Sequence, residues 1–205
     1  MRPDLIEGGH PLRPFQPLQA PAVAVAAAAR VLRPASGPPL LWLRYGISGA
    51  QQLRCPAPAH RPQRRDGLWQ HTCLEAFVAE AGQEAYWEFN LAPSGDWAVY
   101  RLARTREGLE PDSCYDALPF EVLRQPEVEG ETTKQPTNEL TEQLVNGLTV
   151  ELRCPLPPAL ASSPELSVGL TAVLEDHRGR LSYWALTHPA AEPDFHDRRG
   201  WILKL

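Results

Sequence analysis

The stretch from Leu68 to Leu102, LWQHTCLEAFVAEAGQEAYWEFNLAPSGDWAVYRL, leaves this chain few folds to choose from. Apolar and polar residues alternate through it, aromatic and β-branched residues are frequent, and turn-forming clusters fall at 80–83 and 92–95. That pattern predicts three consecutive antiparallel strands joined by short hairpins. Successive strand residues point to opposite faces. Leu68, Thr72, Leu74, Ala76 and Val78 are therefore expected to face the core, and Trp69, His71, Cys73, Glu75 and Phe77 the other side. On the second strand Trp87, Phe89 and Leu91 alternate with Tyr86, Glu88 and Asn90. If both strands share a sheet, its outer face carries rings beside carboxylates, an amide and an imidazole, which is how a face for a polar, ring-shaped ligand is built.

The rest of the chain extends the same pattern. Strands are expected over 23–32 (VAVAAAARVL, where alanine propensity also allows a helix but the valines and flanking prolines favour a strand), 40–47 (LLWLRYGI), 120–123, 148–154 (LTVELRC), 166–176 (LSVGLTAVLED), 181–187 (LSYWALT) and 201–205 (WILKL), with HRGR at 177–180 as a hairpin turn. Residues 155–160 are expected to form a turn or a single helical turn. No regular alternation of helix with strand recurs, so a parallel α/β architecture is disfavoured. An all-β fold, an antiparallel two-sheet β-sandwich, remains. Its predicted core holds Leu74, Phe89, Leu91, Val150, Leu170 and Leu174. The 205 residues fit one domain over 1–205, with a proline-rich extended lead-in at 1–20 and an acidic insertion at 126–145, too poor in apolar residues to offset its ordering entropy.

Charge and cysteine usage narrow the partners. A net charge of −5 gives no basic face for nucleic acid or an anionic membrane, and a small soluble ligand fits better. No run approaches the apolar length of a membrane span, and the opening MRPDLIEGGHPLRP lacks the apolar centre of a signal peptide, so the expected location is cytoplasmic. Cys55, Cys73, Cys114 and Cys154 show no compact metal spacing and read as free thiols. Between Gln51 and Gly67 a loop carries Arg54, His60, Arg61, Arg64 and Arg65 among prolines. It is either a solvated basic loop or an anion clamp at the rim of the proposed face.

The runs W-x-x-T-C-L-E-A-F, Y-W-E-F-N-x-x-P-S-G-D-W-A-V-Y, Y-W-A-L-T-H-P and P-D-F-H-x-R-x-G-W-x-L-x-L resemble bacterial DOMON-like proteins, themselves similar to family 9 carbohydrate-binding modules. The resemblance spans most of residues 40–205. It implies a jelly-roll-like sandwich that binds sugars, or in other branches haem, with structural calcium in some sugar-binding members. Trp69, Glu75, Glu88 and Asn90 lie in the matching meander.

Aromatic faces that stack on sugar C–H surfaces, and planar polar groups that pair with hydroxyls, suit Trp69, Trp97, Glu75, Asn90 and Arg101. Each also has a structural reading: the tryptophans as core, and Glu75 as one half of an ion pair with His71, Arg44 or Arg101. Glu75 and Glu88 on adjacent strands could mimic the two carboxylates of a glycosidase, but a sandwich this small offers little cleft, and binding without catalysis is the expected function. A structural or protein-interaction domain is the alternative. A haem reading would need His71, His188 or His196 as a pair of axial ligands. His188, Asp194, His196 and Asp197 group in one loop, either as a weak metal site (Asp194, His196, Asp197) or as residues capping their own turn. That loop, 187–200, is stiffened by Pro189 and Pro193. It is expected to fold over the face carrying Trp69, Glu75 and Glu88, with Phe195 packed inward, His188 or His196 bonded to a meander carboxylate, and Asp194 fixing the turn.

Overall fold

The computed structural model describes residues 8–126 and 145–205. The acidic insertion expected over 126–145 falls, apart from its two end residues, outside them, as does the start of the lead-in. The described chain is all-β. Its strands are β1 (His10–Pro14), β2 (Ala24–Leu32), β3 (Leu40–Ser48), β4 (Cys73–Glu80), β5 (Tyr86–Leu91), β6 (Trp97–Leu102), β7 (Glu110–Pro111), β8 (Phe120–Pro126), β9 (Val145–Pro155), β10 (Leu166–Glu175), β11 (Leu181–Ala185) and β12 (Leu203–Lys204). Every strand pairing is antiparallel.

The strands form one hydrogen-bonded path, β7-β6-β5-β4-β10-β11-β1-β2-β3-β9-β8, with β12 added beside β10. A sandwich of two separate sheets was the expectation from sequence; here the two halves are continuous through β1. That strand divides its pairing. His10, Pro11 and Leu12 face Ala27, Ala26 and Val25 on β2, while Arg13 and Pro14 face Ala185 and Trp184 on β11. Two prolines remove two of its five possible backbone donors, so it could not sit fully paired between two long neighbours. It serves one neighbour with each end instead. The lead-in is thus part of the sheet from residue 10.

The sheet curls so that both halves share one core. Leu41, Leu43, Tyr45, Val150 and Leu152 from one half join Leu74, Phe89, Leu91, Leu170 and Leu174 from the other in a single buried cluster. The predicted core residues are all in it. Two polar ties cross the gap. Tyr45 Oη, fully buried on β3, donates to the backbone oxygen of Glu75 on β4 at 2.6 Å. Arg124 on β8 reaches the backbone oxygen of Pro93, in the β5–β6 turn, at 3.0 Å. All four cysteines are free, Cys73 and Cys154 buried, Cys114 exposed.

Two differences from the sequence reading bear on the site. The strand expected from Leu68 begins at Cys73, because Gly67 adopts φ 72° and turns the chain into a 3₁₀ turn over Leu68–Gln70. Trp69 and His71 therefore stand on that turn and its exit instead of on the strand. The final strand starts at Leu203, since another 3₁₀ turn, Arg198–Gly200, is capped by the Asp197 side chain accepting from Arg199 N–H and holds Trp201 off the ladder.

Tyr45→Phe deletes one buried hydrogen bond across the core with little change of shape. It is expected to cost about 1 kcal/mol and to lower the melting temperature by about 2–4 °C for a chain of this length. An unchanged melt would mean that the bond adds nothing to the association of the two halves.

Candidate functional site

The outer face of the meander is where the predicted ligand residues were placed, and the structure roofs it. From β4, β5 and β6 this face presents Cys73, Glu75, Phe77, Tyr86, Glu88, Asn90, Ala98, Tyr100 and Leu102, all buried. The C-terminal loop covers one end. Trp201 stacks on Phe77 (ring centroids 5.6 Å apart, planes at 21°) and meets Tyr86 edge-on at 5.0 Å, while Phe195 packs against the same cluster. Gly169 on β10 makes room for the Trp201 ring. The 3₁₀ turn covers the other end, with Leu68 in the cluster and Trp69 edge-on to Tyr100 at 5.9 Å.

Beneath this roof are two carboxyls. Glu75 pairs with Asn90 across the β4–β5 ladder and Glu88 with Phe77, so the acids are diagonal neighbours. Asn90 Nδ2 donates to Glu88 Oε1 at 2.7 Å, and the Cys73 thiol to Asn90 Oδ1 at 3.5 Å. Glu75 Oε1 and Glu88 Oε2 are buried without a hydrogen-bond partner. Burial, and then the neighbouring Glu88, push the Glu75 carboxyl well above the ordinary carboxylate range. Burial raises Glu88 as well, against the Asn90 hydrogen bond and the Arg106 charge, which lower it. The ion pair expected for Glu75 with His71, Arg44 or Arg101 does not form: His71 pairs with Glu175 and Arg44 with Glu151, while Arg101 lies on the opposite side of β6, over the Trp87 ring.

His196 closes the cluster. The Tyr86 hydroxyl lies 2.6 Å from its Nδ1, and its Nε2 is 3.9 Å from Glu88 Oε2, too long for a direct bond. Burial, helped by the Arg106 charge, lowers this imidazole to about 4. The ring is neutral at physiological pH, and Nδ1 shares one hydrogen bond with the Tyr86 hydroxyl. Asp194 does fix its turn, accepting from the His196 N–H at 2.9 Å and from Arg106 at 2.8 Å. His188 turns away to the backbone oxygen of Arg13 at 2.8 Å, near the Phe15 ring.

Several predicted site residues are thus not together. Trp97 is buried in the inner core, with the Arg64 guanidinium 4.6 Å from its ring centre. Arg101 shares that inner side. His71, His188 and His196 occupy three different surroundings, so they do not supply the axial pair that haem needs. Asp194 Oδ1 and both oxygens of Asp197 are taken by Arg106, Arg199 and their own backbone, which fits turn capping, and no group of three metal-ligating side chains occurs among the described residues. Among the described residues these donors suit neither calcium nor haem.

On the far side of the 3₁₀ turn lies an open cleft of about 640 Å³. Its wall includes Arg54, Arg65, Asp66, Gln70, His71, Ser94, Asp96 and Glu175. Glu175, at the end of β10, accepts from Arg54 at 3.0 Å and from His71 Nδ1 at 2.8 Å. Asp96 accepts from the Gln63 N–H at 3.0 Å and pairs with Arg65 at 3.0 Å. Asp66 accepts from the Tyr100 hydroxyl at 2.6 Å. The turn is therefore a partition: Leu68 and Asp66 line the cleft and also touch the buried cluster. Sequence reading found the basic loop but not Glu175, Asp96 or Asp66. Glu175 meets His71 only because β4 and β10 pair across some hundred residues, and no local spacing announces that.

Gly169→Ala would place a methyl against Trp201 Cδ1 and Nε1 and force the ring out, at an expected cost of about 1–3 kcal/mol, seen as an earlier melt and quenched burial of Trp201. The two acids and His196 give stability opposite pH slopes. An acid whose pKa is raised on folding loses stability as pH climbs above its unfolded value; a histidine lowered to about 4 loses it as pH falls below its unfolded value. Glu75→Gln is expected to melt higher than the wild type at pH 8, with the gap closing towards pH 4. A gap of the opposite sign at pH 8 would show that Glu75 is stabilised as a carboxylate.

No protein-family model matches the chain, and no curated protein matches it. Among solved structures it is similar to a candidate carbohydrate-binding protein from Bacteroides uniformis, with a TM-score of 0.59 and 14% identity over 94% of this chain and 83% of that one. It is also similar to a family 9 carbohydrate-binding module from Caldicellulosiruptor kristjanssonii in complex with cellotriose, at a TM-score of 0.47 and 11% identity over 93% and 79%. A complex with glucose of a family 9 module from that organism gives 0.42 and 12% over 93% and 81%. At these identities what the chain shares is the fold, and it shares that of the Bacteroides uniformis protein over nearly its whole length.

Proposed function

We propose that the domain binds a carbohydrate or a similar polar small molecule without transforming it, and that the ligand seats in the cleft beside the 3₁₀ turn. The observation that carries this reading is the cleft itself: about 640 Å³, open to solvent, and walled by planar polar groups already held in place by paired partners. That volume lies within the roughly 300–1,000 Å³ usual for small-molecule sites. Guanidinium, carboxylate, amide and imidazole groups are the ones that pair with adjacent hydroxyls. Preorganisation by Glu175 and Asp96 means that little side-chain entropy is lost on binding. Trp69 stands half-exposed on the turn that forms the cleft wall, between the cleft-lining Leu68 and Gln70 and with its ring against Tyr100, so it would report a bound sugar through the turn.

The same geometry argues against hydrolysis. Glu75 and Glu88 lie behind the partition, and the cleft acids are each engaged by a donor, so no free acid and base flank a place for a glycosidic bond. The likeness of fold to a candidate carbohydrate-binding protein supports the reading at the level of architecture.

Calorimetry with mono- and oligosaccharides tests it. Saturable heat is expected, weakened about tenfold or more by Gln70→Ala together with His71→Ala, which remove one hydrogen-bonding group each from the wall. Trp69 emission should shift on binding and stay silent in Trp69→Phe. If no sugar produces heat and the emission is indifferent to all of them, a structural or protein-interaction domain replaces this reading.

A further inference from the structure

We infer that the cleft selects a sugar bearing a single carboxylate, a uronic acid, over its neutral counterpart. The inference rests on the cleft being the ligand site. It comes from an asymmetry in how the charges of the wall are used. Arg54 and Arg65 each give part of the guanidinium to an acid lying deeper, Glu175 and Asp96. The acids are almost out of reach of solvent, with side chains 6% and 11% exposed, whereas the two arginines remain 66% and 54% exposed. An arginine has five N–H donors. Among the described residues only Glu175 takes a bond from the Arg54 side chain and only Asp96 pairs with that of Arg65, so both keep unspent donors. The acids have little capacity left: Glu175 accepts at both oxygens, and Asp96 receives Gln63 N–H at one oxygen and Arg65 with Ser94 at the other.

A ligand entering the cleft therefore meets donors first. The formal charges of the wall nearly cancel, but attraction falls with distance, and the cations stand nearer the ligand than the buried acids beneath them. Both arginines are also fixed at their base. The Arg54 N–H donates to the Glu175 backbone oxygen at 2.8 Å and its carbonyl accepts from Thr72, while the Arg65 N–H donates to the Trp97 oxygen at 2.9 Å. Held in this way, a guanidinium presents a planar fork matched to the two oxygens of a carboxylate. The net charge of −5 on the whole chain offers no long-range attraction for anions, so the preference has to be local.

Asp66 sets the limit on charge. It is the exposed carboxylate of the wall, and it opposes a second negative charge on the ligand. A carboxylate monoanion is favoured over a phosphate dianion for that reason.

Calorimetry at low salt with glucose, glucuronate and glucose 6-phosphate separates the outcomes. Glucuronate is expected to bind about tenfold more tightly than glucose, as two charge-assisted bonds replace neutral ones, and to lose that advantage as salt rises. Glucose 6-phosphate should bind no more tightly than glucuronate. Arg65→Gln should abolish the preference, read as a ratio of glucuronate to glucose affinity that falls to about one. Arg54→Lys, which keeps the charge opposite Glu175 and loses only the fork, should halve it or more, and covers the case in which Arg65→Gln fails to fold. Asp66→Asn should tighten both anions. Equal affinity for glucose and glucuronate, or a preference that survives both arginine variants, overturns the inference and leaves the cleft as a neutral-sugar site. Tighter binding of glucose 6-phosphate overturns the assignment to a carboxylate. Absence of heat with all three removes the cleft as a ligand site altogether.

Discussion

Strands β4, β5 and β6 are buried on both faces, and much of the rest of the molecule is arranged to meet that constraint. A strand with one wet face can leave its polar alternates in water. Here the alternates Glu75, Glu88 and Asn90 have a roof, so their cost must be met inside the protein. Burial pushes both carboxyls towards the neutral form, which lowers that cost. Asn90 joins Glu88 to Cys73, and neutral His196 lies over Glu88 without bringing a charge. The roof is aromatic where it touches Phe77 and Tyr86, and each such ring pair adds about 0.5–1.5 kcal/mol beyond area burial. The C-terminal loop with its two prolines, and Gly169 beneath Trp201, are the local consequences.

Much of this was legible in the sequence because the two-residue period is a local signal. The strands around 40–48, 148–154 and 166–175 and the six core residues could be read from alternation, 24–32 only by weighing its valines against an alanine-rich run that also suits a helix, and Pro189, Pro193 and Asp194 marked the C-terminal loop as shaped. What alternation cannot give is which strand lies next to which. β1 joins the two halves by pairing three residues one way and two the other, and a five-residue stretch with two prolines carries no period to reveal it. The register between β4 and β10 is equally silent, and it is that register which sets Glu175 against His71.

The sequence also misleads where a local turn overrides the period. Trp69 and His71 continue the alternation of β4 backwards, yet Gly67 at φ 72° breaks it, since a left-handed residue costs glycine almost nothing. The override is what creates the cleft wall. Had the strand run on from Leu68, Trp69 and His71 would have joined the buried face, and the cleft would have lost its wall.

The 3₁₀ turn also makes the cleft and the buried carboxyls parts of one system. Asp66 accepts from the Tyr100 hydroxyl, Leu68 packs in the outer cluster, and Trp69 meets the Tyr100 ring, so the inner side of the turn is fixed by the same cluster that hides Glu75 and Glu88. Its outer side is the cleft wall. A ligand seated against Asp66, Gln70 or His71 would therefore meet a turn held by its bonds to Tyr100 and Glu175 and by Leu68 in the outer cluster. Those contacts are made in folding, so a polar ligand of the cleft would find the wall already ordered and lose little side-chain entropy on binding.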